Sequence, residues 1–164
     1  MPKPKIITIE PIKVLAVRHL GAYIECGVAW EKLMKFAYTQ KMKHGKNLMG
    51  KNARAFGVGY DNPHTTEPSK QRYDACITMD DEVELDSEVR ETSISGGKYI
   101  QCLHKGSYET LCEAYNHIFH EWMPSNNLSM RDAPPFEEYL NRDPRRTKPE
   151  NLRTLIYIPV AIKN

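Results

Sequence analysis

Two acids inside one strand-like run are the first residues of this chain that invite a chemical reading. The segment Ala133-Pro134-Pro135-Phe136-Glu137-Glu138-Tyr139-Leu140-Asn141 carries Glu137 and Glu138 at its centre. Alternation along a strand sends Glu137 and Tyr139 to one face and Phe136, Glu138 and Leu140 to the other. A carboxylate withdrawn from water is costly unless it is protonated, hydrogen-bonded or met by a cation, and an aromatic face itself attracts cations. Capture of an organic cation is the chemistry that suits this pair. The competing reading is an exposed edge strand with solvated glutamates. A dry Glu137 beside a tyrosine also suits a general base acting on a bound electrophile.

Other constellations exclude more than they suggest. There is no Ser-His-Asp or Cys-His pattern and no phosphate loop. His117 and His120, with Glu121 adjacent, lack a third ligand at a convincing spacing, so they read as a surface pair; no metal or other cofactor is expected. The four cysteines, Cys26, Cys76, Cys102 and Cys112, show no metal-type spacing and are expected as free thiols, with Cys102 and Cys112 inside apolar patterns. A formal charge of +2 over 164 residues is too small to imply direct nucleic-acid or membrane binding. Residues 41–54 are basic without an acid and residues 80–91 hold seven acids; both read as solvated loops. No long apolar run follows the N-terminus, so neither a signal peptide nor a membrane span is expected, and a cytoplasmic location follows.

The elements that must position Glu137 follow from periodicity. Residues 5–20 read as strand broken at Pro11, and 23–38 as an amphipathic helix with Cys26, Ala29, Leu33 and Phe36 on one stripe. Strands are expected around 56–60, 73–79, 93–95 and 98–104. Ser107 suits the N-cap of a helix over 108–122 that Pro124 stops. Strands over 136–141 and 153–160 complete the chain.

The chain reads as the same unit twice. At a shift of about 85 positions Lys13, His19, Gly21, Tyr23 and Ala29 fall on Lys98, His104, Gly106, Tyr108 and Ala114, and Trp30 falls on Tyr115. At a shift of about 80, Phe56 meets Phe136, Arg72 meets Arg153 and Ile77 meets Ile158. Each half is strand, helix, strand, strand. The fold class expected is α+β: one curved antiparallel sheet with pseudo-twofold symmetry and two main helices flanking a central groove, in a single domain over 1–164 with repeats at about 5–80 and 92–162. The repeat fails where Gly57 and Gly59 stand in place of Glu137 and Tyr139. One strand is thus bare and its counterpart furnished, which leaves room opposite a charge.

Arg18-His19-Leu20-Gly21-Ala22-Tyr23, Gly59-Tyr60-Asp61-Asn62-Pro63, Ile94-Ser95-Gly96-Gly97-Lys98-Tyr99, His104-Lys105-Gly106-Ser107-Tyr108 and 136–141 resemble, in order and spacing, the GyrI-like small-molecule-binding family. That family takes in SbmC-like gyrase inhibitors and the effector-binding domains of AraC-type and MerR-type multidrug regulators. The resemblance implies a groove floored by a glutamate that binds lipophilic, cationic aromatic compounds. Glu137 matches that glutamate, Tyr139 maps beside it, Tyr108 and Tyr115 line one wall, and Tyr23 and Trp30 are their counterparts. The chain begins at the module's first strand, so it reads as a stand-alone module without the regulators' DNA-binding segment. Its macromolecular partner would then be a separate regulator or gyrase. Hydrolysis of reactive electrophiles by the same glutamate and a gyrase-inhibitor-like interaction are the alternatives that the resemblance admits; binding without catalysis is preferred.

Overall fold

The computed structural model describes residues 3–163. The chain forms two compact units, one running Pro11–Ser95 and the other combining the segment up to Glu10 with the chain from Gly96 onward. The architecture is α+β, and a strand–helix–strand–strand unit with antiparallel pairing occurs twice. Among the described residues no helix is long and apolar enough to cross a membrane.

In the first unit β2 (Ile12–Leu20), β3 (Ala55–Gly59), β4 (Arg72–Thr78) and β5 (Arg90–Ile94) are laid in the order β3-β4-β2-β5. Helix α1 (Gly27–His44) covers one face and buries Ala29, Leu33, Phe36 and Ala37 against Leu15, Val17, Ala75 and Ile77. The expected helix end near Tyr38 and the loop beginning at Lys41 are corrected here. Residues 41–44 continue the helix because Gln40 is buried, because Lys41, Lys43 and His44 favour the negative end of the helix dipole, and because Gly45 at φ 67° ends it. The Lys46 N–H reaches back to the Gln40 carbonyl at 3.4 Å and closes the cap. A short 3₁₀ turn at Tyr23–Glu25 precedes the helix proper.

In the second unit β1 (Lys5–Ile9), β6 (Gly97–Lys105), β8 (Phe136–Tyr139) and β9 (Arg153–Ile162) follow the order β1-β6-β9-β8, and β7 (Leu128–Met130), which was not expected, also pairs with β9. The expected second helix is real but composite: α2 (Leu111–His117), a π turn at Ile118–Trp122, and α3 (Met123–Ser125). Pro124 falls inside α3 instead of stopping the helix, just beyond the widened turn; α1 has no such turn. Ala114, Ile118 and Met123 pack on Ile100, Cys102, Ile156, Ile158 and Val160. All four cysteines are free, although Cys112 is exposed on α2 rather than part of the apolar face.

The leading strands are exchanged. β1 runs into β2 but pairs with β6, while β5 runs into β6 but pairs with β2. The repeat reaches individual bonds. Gly21 and Gly106, at φ 139° and 127°, both donate their N–H at 2.8 Å, to the carbonyls of Gln71 and Leu152. His19 Nε2 lies 2.9 Å from the Ala22 carbonyl, and His104 Nε2 lies 3.2 Å from that of Ser107. The two histidines therefore close equivalent turns. Ser107 accepts from the Glu109 N–H, the capping bond expected of it.

Candidate functional site

Strand β8 places Glu137 and Tyr139 on the sheet face that α2 covers. In the antiparallel register Glu137 stands opposite Ile156, which stands opposite Cys102; Tyr139 stands opposite Thr154, which stands opposite His104. Glu137 thus lies at the end of a row whose other members, Ile156 and Cys102, are apolar, and the next row is polar throughout.

Glu137 is held by two phenols. Tyr115 Oη, from α2, donates to Oε2 at 2.8 Å, and Tyr139 Oη donates to Oε1 at 2.9 Å. Tyr108 meets the Tyr139 ring edge-on at 5.7 Å, and Phe119 stacks on Tyr115 at 6.3 Å. Glu137, Tyr139, Tyr115 and Tyr108 are therefore gathered in one place in the second unit. The surface of residue 137 is only partly covered, yet its carboxyl lies deep among protein atoms, and the position of the carboxyl governs its titration. Burial pushes the Glu137 carboxyl above the usual glutamate range, while hydrogen bonds from Tyr115 and Tyr139 and the field of His104 pull it down without cancelling the shift. Among the described residues no lysine or arginine pairs with it.

Glu138 points to the opposite face and is buried, accepting from Tyr157 Oη at 3.0 Å. Tyr157 Oη also accepts from Gln101 Nε2 at 2.9 Å, and the Tyr157 ring stacks on Phe136 at 4.4 Å. The reading of this run as an exposed edge with solvated glutamates does not hold, because both acids have tyrosine partners.

Tyr23 and Trp30 belong to the first unit and are engaged there. Tyr23 Oη lies 2.8 Å from the Asp61 carbonyl and accepts from the Asp61 N–H at 3.0 Å; Trp30 Nε1 donates to Tyr73 Oη at 3.1 Å. A Cβ on Gly59 would come within 3.3 Å of Tyr23 Oη, so the Tyr23 ring packs directly against the bare strand. The paired positions are inverted between repeats. Gly59 faces Tyr73 across β3 and β4, whereas Tyr139 faces Thr154 across β8 and β9. The large side chain has moved from one strand to its neighbour, and the tyrosine at 115 turns to Glu137 where Trp30 turns to Tyr73.

Sequence reasoning missed a further buried acid. Asp74 on β4 is inaccessible to solvent and accepts from Arg18 Nε at 2.7 Å and Tyr60 Oη at 2.7 Å, with Arg90 Nη2 also bound to it. Burial pushes its carboxyl up, but the bonds from Arg18, Arg90 and Tyr60 together outweigh that effect and hold it below the usual aspartate range. The available signal was an acid inside the apolar run Tyr73-Asp74-Ala75-Cys76-Ile77. Here the charge is neutralised internally, which separates Asp74 from Glu137. An open groove of about 810 Å³ lies at the start of α1, walled by Leu20, Ile24 and Val28 and edged by Arg18, Glu25, Glu31 and Lys32. Those charges are exposed and mixed in sign, so the groove offers apolar surface without charge selection. Among the described residues no cluster of side chains could hold a metal ion.

A family model for the GyrI-like small molecule binding domain matches residues 2–161. The chain belongs to the GyrI-like family. As a GyrI-like protein it is a small-molecule-binding module related to transcriptional regulators. The probable transcriptional regulator YgiV of Escherichia coli strain K12 is 29% identical over 110 residues, covering 66% of this chain and 68% of that one. The GyrI-like fold is shared with the crystal structure of the EcmrR C-terminal domain, at TM-score 0.76 and 19% identity over 99% of each chain. It is shared too with SAV2435 bound to tetraphenylphosphonium, at TM-score 0.60 and 15% identity over 97% of this chain and 94% of that one.

Proposed function

We propose that this GyrI-like module captures lipophilic aromatic cations and that Glu137 is their counter-charge, with Tyr139, Tyr115 and Tyr108 as the aromatic surround. The observation that carries this reading is a desolvated carboxyl whose oxygens are held by neutral phenols and not by a lysine or arginine. Phenols keep such a group in place but leave its charge unmatched, and an entering cation supplies the match. At about 4 Å and an effective dielectric near 20 the attraction is roughly 4 kcal/mol before desolvation is subtracted. Each well-placed ring adds about 0.5–2 kcal/mol. The rings are tolerant of shape, so the carboxylate would select for charge. SAV2435, a protein of the same fold, binds a ligand of this class.

Titration of tetraphenylphosphonium into the wild type and Glu137→Gln tests the proposal. The variant keeps the size of the side chain and removes its charge. A loss of about 10- to 100-fold in affinity is expected, with much less change for a neutral analogue such as tetraphenylmethane derivatised for solubility. Equal losses for both ligands would remove the charge-selection argument.

The raised carboxyl also supports a second reading, general-base hydrolysis of a bound electrophile. Turnover would appear as product accumulating beyond one equivalent of protein, and ligands that bind without such accumulation favour simple capture.

A further inference from the structure

The outer face of α1 carries a regularly spaced stripe. Val28, Glu31, Lys35, Tyr38 and Met42 follow one another at intervals of three and four, and Ile24, in the 3₁₀ turn before the helix, continues the line. At about 100° per residue this stripe lies roughly 180° from the side that packs on the sheet, where Ala29, Leu33, Phe36, Ala37 and Gln40 are buried. Glu31 and Lys35 are exposed, and Ile24, Val28, Tyr38 and Met42 keep between 53% and 94% of their surface. Apolar residues at alternating intervals of three and four form the seam of a coiled coil, where one helix meets another.

The other repeat shows that the fold does not need apolar residues here. At the shift of about 85 positions, Leu20, Ile24 and Val28 fall on Lys105, Glu109 and Glu113, which are exposed and charged. Glu31 and Lys35 fall on Asn116 and His120, so the counterpart stripe is polar along its length. The same face is thus built for water in one repeat and left apolar in the other, which marks the second as a contact surface.

We infer that this face of α1 docks a second copy of the chain, the two helices running antiparallel about a two-fold axis level with Leu33. The order of residues along the stripe selects that partner. Antiparallel pairing sets residues equally far from Leu33 against each other, so Ile24 meets the partner's Met42, Val28 meets the partner's Tyr38 and Glu31 meets the partner's Lys35, and the symmetry repeats each contact. Apolar residues meet at both ends and opposite charges meet in the middle. Parallel pairing would instead set Glu31 against Glu31 and Lys35 against Lys35. Lys32, on the flank, is already paired with Glu88 at 3.2 Å. The open groove walled by Leu20, Ile24 and Val28 then receives the partner's Met42, whose flexible side chain suits an irregular space. A single helical seam is a small interface, so the dimer is a weak, reversible one.

Sedimentation velocity over a concentration series tests the pairing through its charges. Wild type is expected to pass from monomer to dimer with a dissociation constant of about 10–100 μM. Glu31→Lys alone and Lys35→Glu alone each set like charges opposite one another, and each should weaken association about 10-fold or more. Glu31→Lys combined with Lys35→Glu puts opposite charges together again and should return association to within about threefold of wild type. Because the double variant carries both substitutions, its recovery also separates lost docking from lost folding. Ile24→Glu with Val28→Glu, the residue type that the other repeat carries at both places, should leave only monomer. Wild type that stays monomeric at concentrations about tenfold above the expected range overturns the inference, as does a dimer that the single reversals leave intact. A double reversal that associates no better than the single ones overturns the antiparallel register, and with it the choice of a second copy as partner.

Discussion

At the scale of single residues, Glu137 and Asp74 respond to pH in opposite directions. Glu137 has a folded-state pKa above its unfolded value, so the folded protein binds its proton more tightly. Its contribution to stability is complete below the ordinary glutamate value of 4.5 and is lost as pH rises through the elevated folded value. On the capture reading proposed above, cation binding would have the reverse dependence, because the carboxylate would be the binding form. Affinity for tetraphenylphosphonium, whose own charge does not titrate, should rise with pH through the Glu137 transition and then level off, dropping about tenfold for each pH unit below it. Calorimetry across this range, with Glu137→Gln as the flat control, checks the prediction. The pairing of Glu137 with Tyr139 was legible in sequence because strand alternation fixes which residues share a face. The bond from Tyr115 was not, since it depends on how α2 is rotated over the sheet.

At the scale of elements, Asp74 ties the first unit together. Its partners come from β2, from β5 and from the residue that follows β3, so one carboxylate on β4 braces four strands. Removing one member of a buried ion cluster leaves uncompensated charge; the partial exposure of Arg18 and Arg90, at 38% and 40% of their side chains, softens the loss. Asp74→Asn is expected to cost about 2–3 kcal/mol in a denaturant titration, with cation affinity at the Glu137 site unchanged. Because the Asp74 pKa is depressed, its contribution is present above the unfolded value and is lost as pH falls through the folded one, so the variant should also show a flatter acid limb. The composite helix belongs to this scale as well. Periodicity placed it correctly, but the π turn at Ile118–Trp122, whose Ile118 packs with the apolar residues of β6 and β9, has no mark in the hydrophobic pattern.

At the scale of the molecule, the duplication was readable because both copies keep the same glycines, histidines and turn bonds. Its cut points were less so. Strand pairing assigns β1 and β5 each to the unit they do not directly lead into, and pairing over such sequence distances is a tertiary property. A ligand that binds only the folded chain stabilises it by mass action. At 100 times its dissociation constant the gain is about 2.7 kcal/mol, or on the order of 5–10 °C in melting temperature for a chain of this size. Thermal-shift measurements with tetraphenylphosphonium should show that rise in wild type, and a smaller one in Glu137→Gln at the same concentration.

Sequence alone determined the repeated strand–helix–strand–strand order, the family and the odd position of Glu137, because periodicity, turn chemistry and motif spacing are local quantities that every residue carries with it. The tertiary structure decided what each unusual residue meets. Asp74 and Glu137 look alike in sequence, as acids placed among apolar and aromatic residues of a strand. Folding brought two arginines to the first and two tyrosines to the second. Desolvation and hydrogen bonding depend on what surrounds a group in three dimensions, and that is set only once the strands have paired.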